Sequence, residues 1–292
     1  GRSRSARWLP TWNIAGKWAV DEENFFDALR PALSSLSFRV SYSLTADRGP
    51  AWVNNSTATI YSSNPWRGST GIMEPALSIS APENSELTYE KKHEFNFGFD
   101  LGFIDNRISL SLDTYKRNNY DLIGNVITSG LGGFVNKMGN VAEMESSGVE
   151  VSLSTRNIEK KDFSWTTNLI FAYMDNKVTK LNTTLRMIDY LTGSGYSMEG
   201  YPRGSLFSLQ FVGLDDMGIP TYVSPWGGTT QTDIPFQETR NLSCLKYEGP
   251  SDPTMTGSFG NVFRYKGFTL NVFMTYSFGN VVRLDPIFAS SY

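Results

Sequence analysis

Between residues 93 and 103, Phe95, Phe97, Phe99, Leu101 and Phe103 take every second position, and Asn96, Gly98, Asp100 and Gly102 stand between them. A period of two marks a β-strand, because successive side chains point to opposite faces. The alternation occurs in eight segments, at 8–20, 35–46, 93–103, 107–117, 148–155, 163–175, 254–265 and 268–279. The first aligns Trp8, Trp12, Ile14, Trp18 and Val20, and the second sets Leu36, Phe38, Val40, Tyr42 and Leu44 against Ser37, Arg39, Ser41 and Ser43. The fourth and fifth set Ile108, Leu110 and Leu112, then Val149, Val151 and Leu153, against small polar residues that include Ser109 and Ser111. Phe163, Trp165, Leu169, Phe171 and Tyr173 mark the sixth, and Phe259, Phe263 and Tyr265 the seventh. The last aligns Phe268, Leu270, Val272, Met274, Tyr276 and Phe278 around Asn271. Three positions break the phase: Asn261 falls in an apolar row, and Val262 and Phe273 fall in polar ones.

Strands of about eight to thirteen residues exceed the five or six usual in globular sheets. They match the roughly 9–11 that a tilted strand needs to cross a bilayer. A soluble sheet turns its apolar face to a core, whereas a membrane barrel turns it to lipid and keeps small polar residues toward the lumen. The connections support the second arrangement. Asp105-Asn106 and Lys266-Gly267 read as tight hairpin turns, and "NIEKKD" and the segment holding Asp21 and Pro31 are modest. The other three run to about 45, 30 and nearly 80 residues, beyond the 12–15 at which structureless loops become uncommon. Short turns at one end and long loops at the other predict an all-β fold. It is an antiparallel up-and-down transmembrane β-barrel segment of about eight strands with long extracellular loops. Both chain ends fall on the long-loop side in this count. That predicts a piece of a larger barrel, since no strand edge can lie open in lipid.

Composition narrows the function. A net charge of −3 over 292 residues gives no footprint for nucleic acid. No run of apolar residues is long enough for a transmembrane helix, and alternating strands escape window hydropathy. Aromatics reach 14%, which is rich, while charged residues at 19% fall somewhat below the usual quarter. His93 is the lone histidine and Cys244 the lone cysteine, so neither a zinc site nor a Cys–His nucleophile is expected. Asp215-Asp216 and Glu143 with Glu145 are neighbours in loops, which says nothing about the fixed separation acid–base catalysis requires. "GSG" at 193–195 lacks the strand-to-helix setting of a phosphate loop. No enzymatic activity, metal or cofactor is expected.

Several stretches carry a family resemblance. "LSFRVSYSLTAD", "LTYEKKHEFNFGFDLGFIDNRISLSLDTYKR", "GNVAEMESSGVEVSLSTRN" and "GPSDPTMTGSFGNVFRYKGFTLNVFMTYSFGN" resemble the later barrel half of SusC/RagA-type TonB-dependent outer-membrane transporters. Gly139-Asn140-Val141 with Gly148-Val149-Glu150, and Asp252-Pro253 with Thr256-Gly257, are the more specific signatures. The resemblance implies a roughly 22-stranded barrel around an N-terminal plug. It further implies that TonB pulls on the plug, that a SusD-like lipoprotein lid covers the mouth, and that oligosaccharides or peptides are imported across the outer membrane of a Gram-negative bacterium. Residues 1–292 then read as a partial TonB-dependent receptor barrel domain without the plug, whose other partners are the remaining barrel strands and the lipid bilayer. Two alternatives are a passive porin and a soluble carbohydrate-binding β-sandwich.

Site expectations follow. Leu36, Phe38, Val40, Phe95, Phe97, Phe99, Leu101, Leu270, Val272 and Met274 should face lipid, and Asn96, Asp100, Ser109, Ser111 and Asn271 the lumen. Trp8, Trp12, Trp18, Tyr115, Trp165, Tyr173 and Tyr276 suit an interfacial girdle. The loop aromatics Trp52, Trp66, Tyr196, Tyr201 and Trp226 suit contact with substrate or lid. Residues 180–253 should fold over the barrel mouth, anchored by Leu206, Phe207, Leu209, Phe211, Val212 and Leu214.

Overall fold

The computed structural model describes residues 8–284 apart from 31, 50–52, 54–57, 68–70, 82, 128–135 and 193–194. Eight strands form one antiparallel sheet in sequence order. They are β1 (Trp12–Ala19), β2 (Leu33–Asp47), β3 (Glu90–Phe103), β4 (Ile108–Ile127), β5 (Asn136–Glu159), β6 (Phe163–Leu181), β7 (Met255–Tyr265) and β8 (Phe268–Phe278). Every neighbour in the chain is a neighbour in the sheet, as hairpin connections require.

Register carries the two-faced pattern across all eight strands. One row of partners reads Trp18, Phe38, Phe99, Leu112, Val151, Phe171, Gly257 and Tyr276. One residue along, the row reads Lys17, Arg39, Gly98, Asp113, Glu150, Ala172, Thr256 and Ser277. A slip of one residue anywhere would mix the rows, so the patterning pins the register. Leu36, Phe38, Val40, Phe95, Phe97, Phe99, Leu101, Leu270, Val272 and Met274 all stand on the apolar face. Asn96, Asp100, Ser109, Ser111 and Asn271 stand on the polar one. No second sheet is stacked on the apolar face among the described residues, and Leu270 there is 59% exposed. That removes the β-sandwich alternative, which needs two facing sheets.

Asn261 and Tyr115 depart from the pattern for local reasons. Asn261, on the apolar face, accepts hydrogen bonds from Trp165 Nε1 at 2.9 Å and Thr167 Oγ1 at 2.7 Å, so its carbonyl oxygen is satisfied among apolar neighbours. Tyr115 does not join the girdle row. It points to the polar face, lies over Gly148, and carries the Arg117 guanidinium 5.0 Å from its ring centre. A side chain at position 148 would collide with that ring, which is why glycine sits there. Trp8 precedes β1, outside the sheet.

The short connections lie at one end. Lys266-Gly267 is a two-residue turn with Lys266 at φ 51°, and residues 160–162 join β5 to β6. The β3–β4 turn spans 104–107, longer than the Asp105-Asn106 pair expected, with Ile104, Asp105 and Asn106 all left-handed. Residues 20–28 form two 3-10 turns that bury Val20 and Phe26. At the far end the strands outrun expectation: β4, β5 and β6 are 20, 24 and 19 residues long. Most of the anticipated loop between residues 117 and 148 is therefore ladder. The outer row changes chemistry there. Lys116 pairs with Glu145 at 2.7 Å, Lys180 with Glu143 at 3.3 Å and Lys91 with Asp121 at 2.6 Å. Below that level the apolar run from Phe95 to Phe103 has the length of a bilayer crossing.

Candidate functional site

The polar face holds two charged ladders. Near the tight turns, Arg39 donates to Asp100 at 3.0 Å and to Asp113 at 3.1 Å, while Ser111 donates to Asp100 at 2.7 Å. Ser37 adds a further bond to Asp100 at 3.1 Å. Charges half-buried in this way need partners, and one guanidinium shared by two carboxylates supplies them. Higher up, Glu94 accepts from Arg117 at 2.7 Å and from Lys92 at 3.0 Å. Above it a cleft of about 340 Å³ opens, lined by Lys92, Arg117, Ser146, Met144, Met174 and Arg203 among others.

The connection from β2 to β3 is fastened by Asn140. Its side chain accepts from the Thr88 amide at 2.8 Å and donates to the carbonyls of Thr88 and Asp121. Asn84 reaches the Met138 carbonyl at 2.7 Å, and Leu87 in the same connection is buried. Asn140→Ala would orphan the Thr88 amide, at a cost of about 1–3 kcal/mol. Hydrogen exchange at Thr88 should accelerate accordingly while the membrane-level strands keep their protection. Unchanged protection at Thr88 would contradict the fastening role.

The connection from β6 to β7 has its own core. Met187, Tyr190, Leu206, Phe207 and Cys244 are buried, and Phe207 lies 5.5 Å from Tyr190, 5.3 Å from Tyr201 and 5.8 Å from Tyr247, centre to centre. The strands Ser205–Leu209 and Leu245–Pro250 pair to form its base. Burial pushes the Tyr190 hydroxyl and the Cys244 thiol up in pKa. Asp189 is held below the usual carboxylate range by Arg186, and Glu238 by the amides of Arg240, Thr239 and Asn241. Backbone bonds tie this unit to the sheet: Val178 donates to Tyr201, Gly200 to Val178, and Val281 to Pro250. Arg283 donates to carbonyls of Leu191, Tyr190 and Phe207.

Only part of the expected anchoring set serves this core. Leu206 and Phe207 are buried, whereas Phe211, Val212 and Leu214 are exposed. They belong to a three-stranded sheet of residues 211–214, 220–223 and 229–230, too thin to bury both of its faces. Tyr201 packs into the aromatic cluster, and Tyr196 sits edge-on to Tyr190 at 6.4 Å and is 39% exposed. Trp66 lies on a hairpin after β2 and Trp226 on a turn, both exposed. Trp52 lies outside the described residues. No group of three or more metal-ligating side chains occurs among the described residues.

A single twisted sheet with one greasy and one charged face, tight turns below and folded connections above, defines a segment of a membrane β-barrel wall. The family model "TonB dependent receptor-like, beta-barrel" matches residues 2–285, and the chain belongs to that family. It is 26% identical to TonB-dependent receptor P39 of Formosa agariphila over 92% of this chain and 29% of that protein. It is 30% identical to TonB-dependent receptor SusC of Bacteroides thetaiotaomicron over 75% of this chain and 23% of that one. Among solved structures, the RagAB peptide importer in its "closed-closed" state superposes with a TM-score of 0.76 and 26% identity, over 96% of this chain and 30% of the matched one. The chain thus spans less than a third of the length of these relatives.

Proposed function

We propose that the chain forms part of the barrel wall and outer vestibule of an outer-membrane nutrient importer of a Gram-negative bacterium. One observation carries the reading: a sheet eight strands wide exposes an apolar face that nothing among the described residues covers. Water would tolerate no such surface, and lipid requires it. The ten apolar residues from Leu36 to Met274 then meet acyl chains, and Trp12, Trp18, Trp165, Tyr173 and Tyr276 serve the interfaces. Strands of the parent barrel would cover the outer edges of β1 and β8, which pair with no strand among the described residues.

In this reading the parent protein couples to TonB through a plug and works with a SusD-like lipoprotein lid. Its cargo is an oligosaccharide or peptide too bulky for passive diffusion. The relatives carry names of receptors and importers, which favours transport over bond-making chemistry. Tyr196, Trp66 and Trp226 present free ring faces toward cargo or lid, while Tyr201 acts chiefly by bracing Phe207. The test is uptake of cargo in cells with and without TonB. Uptake through the full-length protein should stop when TonB is absent; uptake that continues unchanged would make the protein a passive pore.

A further inference from the structure

The cleft above Glu94 sits where the polar face meets the β6–β7 connection. Strands β3 to β6 line it with Lys92, Arg117, Met144, Ser146 and Met174 among others, and the β6–β7 connection adds Arg203 and Asp252. Two polar groups there have no side-chain partner among the described residues. Ser146 is only 4% exposed, yet its hydroxyl has no hydrogen-bond partner among the described residues, a cost native proteins seldom leave standing. Arg203 is exposed at the cleft and held by its backbone, which donates to Asn176 Oδ1 at 2.8 Å, while its guanidinium enters no ion pair among the described residues and is free to meet a ligand. Lys92 and Arg117 are already committed to Glu94.

We infer that this cleft is a subsite for a carboxylate group of the imported ligand, with Arg203 as the cation that meets it and Ser146 as an added donor. The inference rests on the importer reading and narrows its cargo. Three cations against the carboxylates of Glu94 and Asp252 leave one positive charge, which matches a monoanion better than a phosphate dianion. A guanidinium presents two parallel N–H groups to a carboxylate. Met144, Met174 and Leu122 line the same space, and no aromatic platform does, so the groups beside the carboxylate are aliphatic and not a stacked neutral sugar. An acidic peptide and an oligouronate both carry such a group.

Calorimetry on the detergent-purified full-length protein separates the outcomes, using a glutamate-containing tetrapeptide, a tetragalacturonate and neutral maltotetraose as probes. A carboxylate probe should bind, more weakly as ionic strength rises. Arg203→Gln should weaken it about tenfold, and Arg203→Lys should recover part of the loss. Whichever acidic probe binds identifies the source of the carboxylate. If the Arg203 variant assembles poorly, Lys92→Gln, which lowers the charge of the cleft by one, should also weaken the acidic probe, and binding as in the parent would count against the subsite. The subsite is overturned if maltotetraose binds best, if no acidic probe binds, or if Arg203→Gln binds as the parent does. Carboxylate binding that needs Arg203, alongside uptake indifferent to TonB, would keep the subsite and remove the importer reading. TonB-dependent uptake of a neutral ligand, indifferent to Arg203, would do the reverse.

Discussion

Phe97→Arg should destabilise the full-length barrel by about 2–4 kcal/mol, the range for a charge on the lipid face near the midplane. Phe97 lies within the apolar run, pairs with Val40 and Thr114, and its ring stacks 6.2 Å from Phe38. An arginine there would have to carry its charge along the apolar face before meeting water. Ser152→Arg is the control. Ser152 lies on the opposite face, exposed, between Ser111 and Ile170 in register. The new guanidinium would find water and the carboxylates of the polar ladder, so the cost should stay within about 1 kcal/mol. Folding titrations in lipid vesicles measure both. Equal costs at the two sites would contradict the assignment of faces.

Phe207→Ala should melt the β6–β7 connection without opening the barrel. Phe207 is 2% exposed and central to the ring cluster, and removing a buried Phe costs about 3–5 kcal/mol. A unit resting on one small core has little stability beyond that. Cys244 reports the event, because it is fully buried against Met187, with the sulfur atoms 3.7 Å apart. The parent thiol should resist maleimide until the protein is denatured, and the variant thiol should react in the native barrel. Fast labelling of the parent, or none in the variant, would show that this cluster does not hold the connection. Heat-modifiable migration on gels checks that the barrel itself survives.

The strands were legible where the membrane imposes opposite demands on their two faces. From Phe95 to Phe103 every side chain declares its side, and the register follows. The signal fades above Lys116, Ser147 and Asp175, since both faces there are wet and polar residues suit either. Strand continues in that region on ladder bonds and ion pairs, with a bulge at Asp121, and no periodicity announces it. Tyr115 departs from the girdle for a related reason. Residue type suggested an interface, while its odd-numbered phase, shared with Ser109 and Ser111, already put it on the polar face. The fastening by Asn140 and the unpartnered Ser146 depend on contacts between strands distant in sequence, which no local pattern encodes.

Leu206 and Phe207 were recognisable as anchors because they stand in a short apolar run, but Phe211, Val212 and Leu214 have the same appearance and remain exposed. What separates them is the partner strand Leu245–Pro250, which covers the first pair and not the second. Sequence alone identifies apolar residues that need cover; topology decides which receive it.

The face assignment is tested most directly by spin labels placed one at a time at residues 94 to 97 and 99 to 101 of the full-length protein in lipid bilayers, with Cys244 replaced by alanine. Oxygen partitions into the acyl region and a charged nickel chelate stays in water, so their relative relaxation effects report each label's surroundings. Labels at 95, 97, 99 and 101 should favour oxygen, and those at 94, 96 and 100 the chelate; position 98 stays glycine, because a side chain there would meet the Asp113 carboxylate. The opposite phase, or no alternation at all, would contradict a wall with lipid on its aromatic side.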